Sequence, residues 1–343
     1  MKVLIVSTPF IPVPPRTYGG LERVVYDLAT ALHGLGVKVT VACPTESTLP
    51  AGAEHLDIGP TSYQLQQDWV RAEGKAYELY KHRLADFDLI HDHTWYAFPY
   101  LAKRENSALK IIHTHHGHGP WRTPPPVLHP NLVAISQYMA AVDSSTLGVT
   151  FRVVYNGVAL EEYKFNPTRG ERLLYVGRMA KFKQPHLAID IARQAGIPVD
   201  ILGGDSFVDD LDYVARVKDA CDGLQAHYIG EVSQDVKMRY LKNSRAVLVP
   251  SRMGEPFGLV AVEALATGRP VICLDDGALR EIVTPSVGFV CANPDEMTRV
   301  LKEGLDLKVI PENCRQRAEE FSREKMAEQY CRLYEDILQD KEW

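Results

Sequence analysis

The sequence predicts an α/β protein made of two doubly wound parallel-sheet (Rossmann-like) domains facing a cleft. Three observations predict it. Short apolar runs rich in β-branched residues alternate with longer stretches of helical periodicity. The strand candidates are solidly apolar rather than alternating, as expected of parallel sheets covered on both faces. There are two such series, separated by a polar stretch at residues 161–171 that contains Pro167 and Gly170. A chain of 343 residues suits two domains of ordinary size, and 45% hydrophobic residues suffice for two cores.

The first series opens with residues 3–6 (Val-Leu-Ile-Val) as a strand. Leu21, Val24, Val25, Leu28, Leu32 and Leu35 follow at helical spacing, closed by Gly34 and Gly36. Strands are then expected at residues 37–41, 88–90, 110–112, 132–135 and 151–154. The second series has strands at residues 173–176, 199–202, 228–229, 246–249, 271–274 and 289–290, with helical stretches between. Two helical patterns close the chain, at residues 312–321 and 323–339. The expected domains are therefore 1–163 and 164–322, with 323–343 a C-terminal helix packing back on the first domain.

Composition removes several function classes. A net charge of -6 gives no long-range field for DNA or RNA, so nucleic acid is not an expected partner. The six cysteines are scattered, without the short spacing of a zinc knuckle or redox pair. They read as buried free thiols in a reducing compartment, and the expected location is cytoplasmic. No apolar run is long enough to span a membrane, and the first is interrupted by Pro9 and Pro12. Peripheral membrane contact stays open.

In doubly wound sheets ligands bind beyond the carboxyl ends of the strands, so chemistry is sought in the loops that follow them. Gly19 and Gly20, after Tyr18, precede the first helix, where glycine lets the backbone approach an anion at a helix N-terminus. A plain turn reads equally well there. His91, Asp92 and His93 follow one strand, and His113, His115, His116 and His118 another. Adjacent residues on extended backbone point to opposite sides, so a shared metal is less expected than a polar floor that hydrogen-bonds a substrate. A purely structural cluster is the other reading. Gly177 and Arg178, with Lys181 and Lys183, put positive charge at a strand end, where a diphosphate needs it.

The most informative stretch is residues 251–270. Pro256 and Gly258 fix a tight loop after an apolar strand, and residues 259–266 suit a buried helix except at Glu263. A carboxylate inside an apolar helix needs a partner, and the paired hydroxyls of a ribose would satisfy both its oxygens. Glu255 lies just before the helix, and the amides of Phe257, Gly258 and Leu259 open toward a phosphate at its N-terminus. Two capping or ion-paired glutamates are the bland alternative.

This stretch resembles the signature of the family 4 retaining glycosyltransferases, which have the GT-B fold: two glutamates separated by seven residues, with Pro-Phe/Gly-x beside the first. The likeness runs through Tyr18-Gly19-Gly20 with Glu22, Thr114-His115-His116-Gly117, Tyr155-Asn156-Gly157-Val158, Gly177-Arg178-Met179 with Lys183, and residues 277–283 with Glu281. The resemblance implies that Glu263 holds the donor ribose and Glu255 touches the sugar or the reacting centre. It implies that Arg178 and Lys183 neutralise the diphosphate, that Gly19 and Gly20 cover the phosphates, and that His116 lies near the transferred sugar. It implies a nucleotide-sugar donor, UDP-linked first and GDP-mannose next, and a carbohydrate, lipid-linked or small-molecule acceptor. No metal and no cofactor are expected, because Arg, Lys and helix dipoles can stabilise the leaving diphosphate. The prolines of the first loop (Pro9, Pro12, Pro14, Pro15) and the segment Trp121-Arg122-Thr123-Pro124-Pro125-Pro126 depart from the family pattern, on the acceptor side. A nucleotide-sugar epimerase and a non-catalytic nucleotide-sugar-binding protein are the competing readings; a dehydrogenase lacks its G-x-G-x-x-G here.

Overall fold

A computed structural model of the chain describes residues 1–62, 68–117 and 130–343. It divides into two compact units, Met1–Gly157 with Arg323–Trp343, and Val158–Ser322. Both are doubly wound parallel-sheet α/β structures, as the periodicity predicts.

The first unit holds β1 (Lys2–Val6), β2 (Lys38–Cys43), β3 (Glu54–Asp57), β4 (Leu89–Asp92), β5 (Ile111–His115), β6 (Leu132–Ala134) and β7 (Phe151–Val153). All pairs are parallel, in the order β3-β2-β1-β4-β5-β6-β7. Register places Val3 beside both Val39 and Leu89, and Ile5 beside Val41 and His91. The central strands are buried on both faces, which is why they read as unbroken apolar runs. β3, with the sequence Glu-His-Leu-Asp, is an exposed edge that carries no such signal. The order reverses between β1 and β4, so the loops after these two strands flank the switch point.

The second unit holds β8 (Leu173–Val176), β9 (Val199–Leu202), β10 (Ala226–Gly230), β11 (Val247–Val249), β12 (Val271–Leu274) and β13 (Gly288–Cys291). Its order is β10-β9-β8-β11-β12-β13, again all parallel. The switch point lies between β8 and β11. One core, including Leu173, Ile189, Ile201, Val214, Leu248 and Leu301, joins this sheet to its helices.

Two boundaries differ from the sequence reading. Residues 158–163, expected in the first domain of 1–163, belong to the second unit: the Val158 amide bonds the Phe321 carbonyl, and the Tyr163 hydroxyl bonds Glu263. The stretch at 161–171 is not a free linker either. The Asn166 and Gly170 amides donate to the carbonyls of Thr267 and Ser244, and the wholly buried Arg269 donates to the Asn166 and Thr168 carbonyls. Its exposed polar side chains face water while its backbone is tied to the second unit. The helix Arg323–Leu338 belongs to the first unit, where it packs against the helix Gly20–Gly34. Among the described residues no helix is long and apolar enough to cross a membrane.

Candidate active site

In the second unit, Gly177 and Arg178 follow β8 and the loop 250–258 follows β11, the two strands that flank the switch point. Asp276 builds that loop. Its carboxylate accepts the amides of Met253 and Gly254 at 3.0 Å and of Glu255 at 2.9 Å. The Glu255 carbonyl in turn accepts the Ala278 amide at 2.8 Å. Gly277 sits at φ 56°, and a Cβ there would collide with the Glu255 backbone, so only glycine lets the two turns touch. Glu255 is thereby buried with its side chain aimed at Lys183, whose Nζ donates to Oε2 at 2.6 Å.

Gly258 is the cap of the helix Leu259–Ala266, at φ 96°. Phe257 is buried edge-on against Phe321, which anchors the loop in the core. In the first turn the Ala261 amide turns back on the Gly258 carbonyl at 2.9 Å, and the Leu259 and Val260 amides ahead of it form the end that attracts an anion. Glu263 lies one turn in, 6% exposed. Its Oε1 accepts from the Tyr163 hydroxyl at 2.8 Å and from Lys237 Nζ at 2.6 Å. The burial penalty is therefore met in large part by the protein itself, a solution the apolar pattern of residues 259–266 does not reveal. Oε2 takes no hydrogen bond from the described residues.

The half-buried Arg178 donates Nη1 to the Phe207 carbonyl at 3.2 Å, and its guanidinium lies 5.0 Å from the centroid of the Phe182 ring. Gly203 lies so close to Gly177 that a Cβ would strike the Gly177 carbonyl. Lys183 ends the short turn Lys181–Lys183. Lys181 is more than half exposed and pairs with Asp210 at 2.6 Å, a solvated contact. This unit thus groups Lys183 with Glu255, and Lys237 with Glu263.

In the first unit, Gly19 (φ 151°) and Gly20 start the helix Gly20–Gly34. A Cβ at Gly19 would lie 2.6 Å from Pro15 Cβ and 3.0 Å from Glu22 Oε2, which explains glycine in this loop. Glu22 is buried, accepts the Thr8 hydroxyl at 2.7 Å, and is pushed up to about 7 by burial. The histidines after β4 and β5 separate into different jobs. His91 is wholly buried and tied on both nitrogens, to the Tyr334 hydroxyl and to Thr114 Oγ1, each at 2.7 Å. Thr114 also meets the Tyr330 hydroxyl at 2.8 Å, so these four side chains fasten the sheet to the helix Arg323–Leu338. His113 pairs with Asp92 at 2.7 Å, both buried. His115 is buried beside Phe151. His116 is half-buried, with Nε2 2.8 Å from His93 Nδ1. Burial, then the His113 and His115 charges, push His116 down to about 3. Burial likewise holds His91 and His93 well below the usual imidazole range. Among the described residues, no group of three His, Cys, Asp or Glu side chains is arranged to hold a metal ion. His118 and the segment 121–126 lie outside the described residues.

Several residues of this machinery escape sequence reasoning. Tyr163, Lys237, Asp276, Tyr330 and Tyr334 act on partners 21 to 243 positions away. Glu73 accepts the amides of Trp95 and Tyr96 at 2.8 and 2.9 Å, fixing the loop after β4, and burial pushes it up to about 8. An acidic residue within an otherwise apolar helical stripe is the one signal that could have flagged it.

Comparisons with known proteins agree with this fold. The family model described as Glycosyl transferases group 1 matches residues 161–321, and the one described as Glycosyltransferase Family 4 matches residues 18–162. The O-antigen chain mannosyltransferase C of Escherichia coli is 24% identical, covering 99% of this chain and 100% of that one. The D-inositol 3-phosphate glycosyltransferase of Frankia alni is 29% identical over 81% of this chain and 83% of its own. Among solved structures, AviGT4, a glycosyltransferase involved in avilamycin A biosynthesis, matches with a TM-score of 0.77 at 25% identity, covering 100% of this chain and 99% of that one. Sucrose-phosphate synthase from Thermosynechococcus elongatus matches at 0.81 and 20% identity, over 99% of each chain. Fold and family models together define a glycosyltransferase with two parallel-sheet domains of the GT-B kind. The chain belongs to the family 4 glycosyltransferases.

Proposed function

We propose that the chain transfers a hexosyl unit, with retention of anomeric configuration, from a nucleotide sugar to a hydroxyl acceptor. A UDP-sugar is the favoured donor and GDP-mannose the next. The observation that carries this reading is the arrangement at the β8/β11 switch point: Arg178, Lys183 and a helix N-terminus for a diphosphate, with buried Glu255 and Glu263 flanking them. Negative charge grows on the diphosphate as its bond to the anomeric carbon breaks. Fixed cations and amides favour that state over the ground state. In this reading Glu263 offers Oε2 to a ribose hydroxyl while Tyr163 and Lys237 hold Oε1. Lys183 orients Glu255 through their 2.6 Å contact, and His116 contacts the sugar. Gly19 and Gly20 allow backbone close to phosphate. The cations supply the charge neutralisation that a metal ion supplies in other transferases, so we propose that no metal is needed. The acceptor is a carbohydrate, a lipid-linked sugar or a small molecule carrying a hydroxyl.

The test is a thermal-shift screen with UDP, GDP, ADP and TDP, followed by product analysis with the matching nucleotide sugar. A ligand at about 100 times its Kd adds about 2.7 kcal/mol to the folded state, so one nucleotide should stand out. Glu263→Gln should weaken that nucleotide by about 1.5–3 kcal/mol, the worth of a hydrogen bond to a charged group. Lys183→Met should cost about 2–4 kcal/mol in turnover. Activity should survive EDTA. Unchanged binding and turnover in both variants would overturn the site assignment. An epimer formed from the donor alone would favour the epimerase reading.

A further inference from the structure

We propose that His93 is a positioning residue that fixes the tautomer of His116, so that His116 presents an Nδ1–H donor to the transferred sugar. The proposal rests on the transferase reading above for its last clause only.

The two rings meet through His93 Nδ1 and His116 Nε2 at 2.8 Å, stacked with centroids 5.1 Å apart. Burial above all keeps both rings neutral, helped by His91 at His93 and by His113 and His115 at His116. One proton therefore lies between the two nitrogens, and either ring can own it. If His116 donates, the proton of His93 must sit on its own Nε2. That atom is buried and has no hydrogen-bond partner, and His93 as a whole is 1% exposed. A buried N–H without an acceptor is the rarer and costlier defect; a lone pair without a donor is tolerated more often. If His93 donates from Nδ1, its Nε2 carries only the lone pair, and no proton is stranded.

The surroundings lock this choice. The His91 ring packs 4.0 Å from the His93 ring, and His91 is held on both nitrogens by Tyr334 and Thr114. His93 follows β4 directly, with its amide bonded to the Val6 carbonyl at 2.9 Å, so its backbone is fixed as well. With Nε2 accepting, His116 carries its own proton on Nδ1, which no described group engages. His116 is then a hydrogen-bond donor toward a hydroxyl oxygen and cannot serve as a base through that atom.

The experiment is a long-range proton–nitrogen correlation spectrum of the nitrogen-labelled full chain near neutral pH, joined to UDP release from UDP-glucose. His93 and His116 should both show the Nδ1–H pattern, which is the minor tautomer of free histidine. A His116 protonated on Nε2, or doubly protonated, overturns the proposal. His93→Phe removes the donor and should slow UDP release about tenfold with the donor KM unmoved. His93→Asn places an amide N–H near the former Nδ1 and should recover most of the rate. Recovery no better than that of His93→Phe would overturn the positioning role. If the wild-type chain turned over no nucleotide sugar while both rings showed the Nδ1–H pattern, the transferase reading would fall and the tautomer assignment would stand.

Discussion

Glu22 shows how burial sets a charge and, with it, a pH dependence. Its carboxyl sits under the Gly19 turn with one hydroxyl for company, and burial lifts it from 4.5 to about 7. The folded chain therefore holds this proton more tightly than the unfolded chain. The contribution is fully present below about pH 4.5, falls as pH rises through about 7, and is flat above. Its size is on the order of 3 kcal/mol, because each tenfold gain in proton affinity is worth about 1.4 kcal/mol. Glu22→Gln should shrink the loss of thermal stability between about pH 5 and pH 8 without abolishing it. Glu73, lifted to about 8, contributes a slope of the same sign. Equal slopes in the variant and the wild type would show that Glu22 ionises normally. The buried Glu255 and Glu263 differ from Glu22 in having a lysine partner each, Lys183 and Lys237, at 2.6 Å.

At the scale of elements, the loop before the helix Leu259–Ala266 depends on two glycines, Gly258 and Gly277. A Cβ at Gly258 would lie 2.8 Å from Leu279 Cδ2, on backbone that L-residues rarely adopt. Gly258→Ala should cost about 1–3 kcal/mol of stability and lower turnover as well, because Glu255 moves with the loop. A drop in melting temperature without loss of turnover would separate the loop from the site. The same scale explains what could be read from the chain beforehand. Central strands announce themselves because both faces are buried, so the apolar runs at 3–6, 173–176, 199–202 and 271–274 mark β1, β8, β9 and β12. β3 does not, because an exposed edge needs no apolar face. The glutamates, Arg178 and Lys183 were legible from spacing and position after strands. Their partners were not: Tyr163 reaches Glu263 across 100 positions, and Asp276 reaches the Glu255 amide across 21. Such contacts follow from how strands are ordered in the sheet, which periodicity alone does not reveal. The histidines were legible as a cluster, yet only the packing shows that His91 braces a helix while His93 meets His116.

At the scale of the molecule, the first unit is discontinuous. Its sheet comes from the first 157 residues and one of its covering helices from Arg323–Leu338. That helix buries Met326, Ala327, Tyr330, Leu333, Tyr334 and Ile337, and the tail beyond it adds Trp343, which bonds the Leu132 carbonyl and stacks under Arg152. The five large ones at about 1.5–3 kcal/mol each rival the whole stability of a domain, about 5–15 kcal/mol. A chain ending at Ser322 should therefore lose the first unit's calorimetric transition, while the second unit, a continuous segment with its own core, keeps one. Two intact transitions in the shortened chain would refute this. The discontinuity also has a bearing on synthesis. A ribosome delivers the seven strands early and the helix that shields them last. At about 5–20 residues per second the sheet waits roughly 10–30 s for it, with the second unit emerging meanwhile. During that interval one apolar flank of a nearly finished sheet is open to chaperones and to other nascent chains.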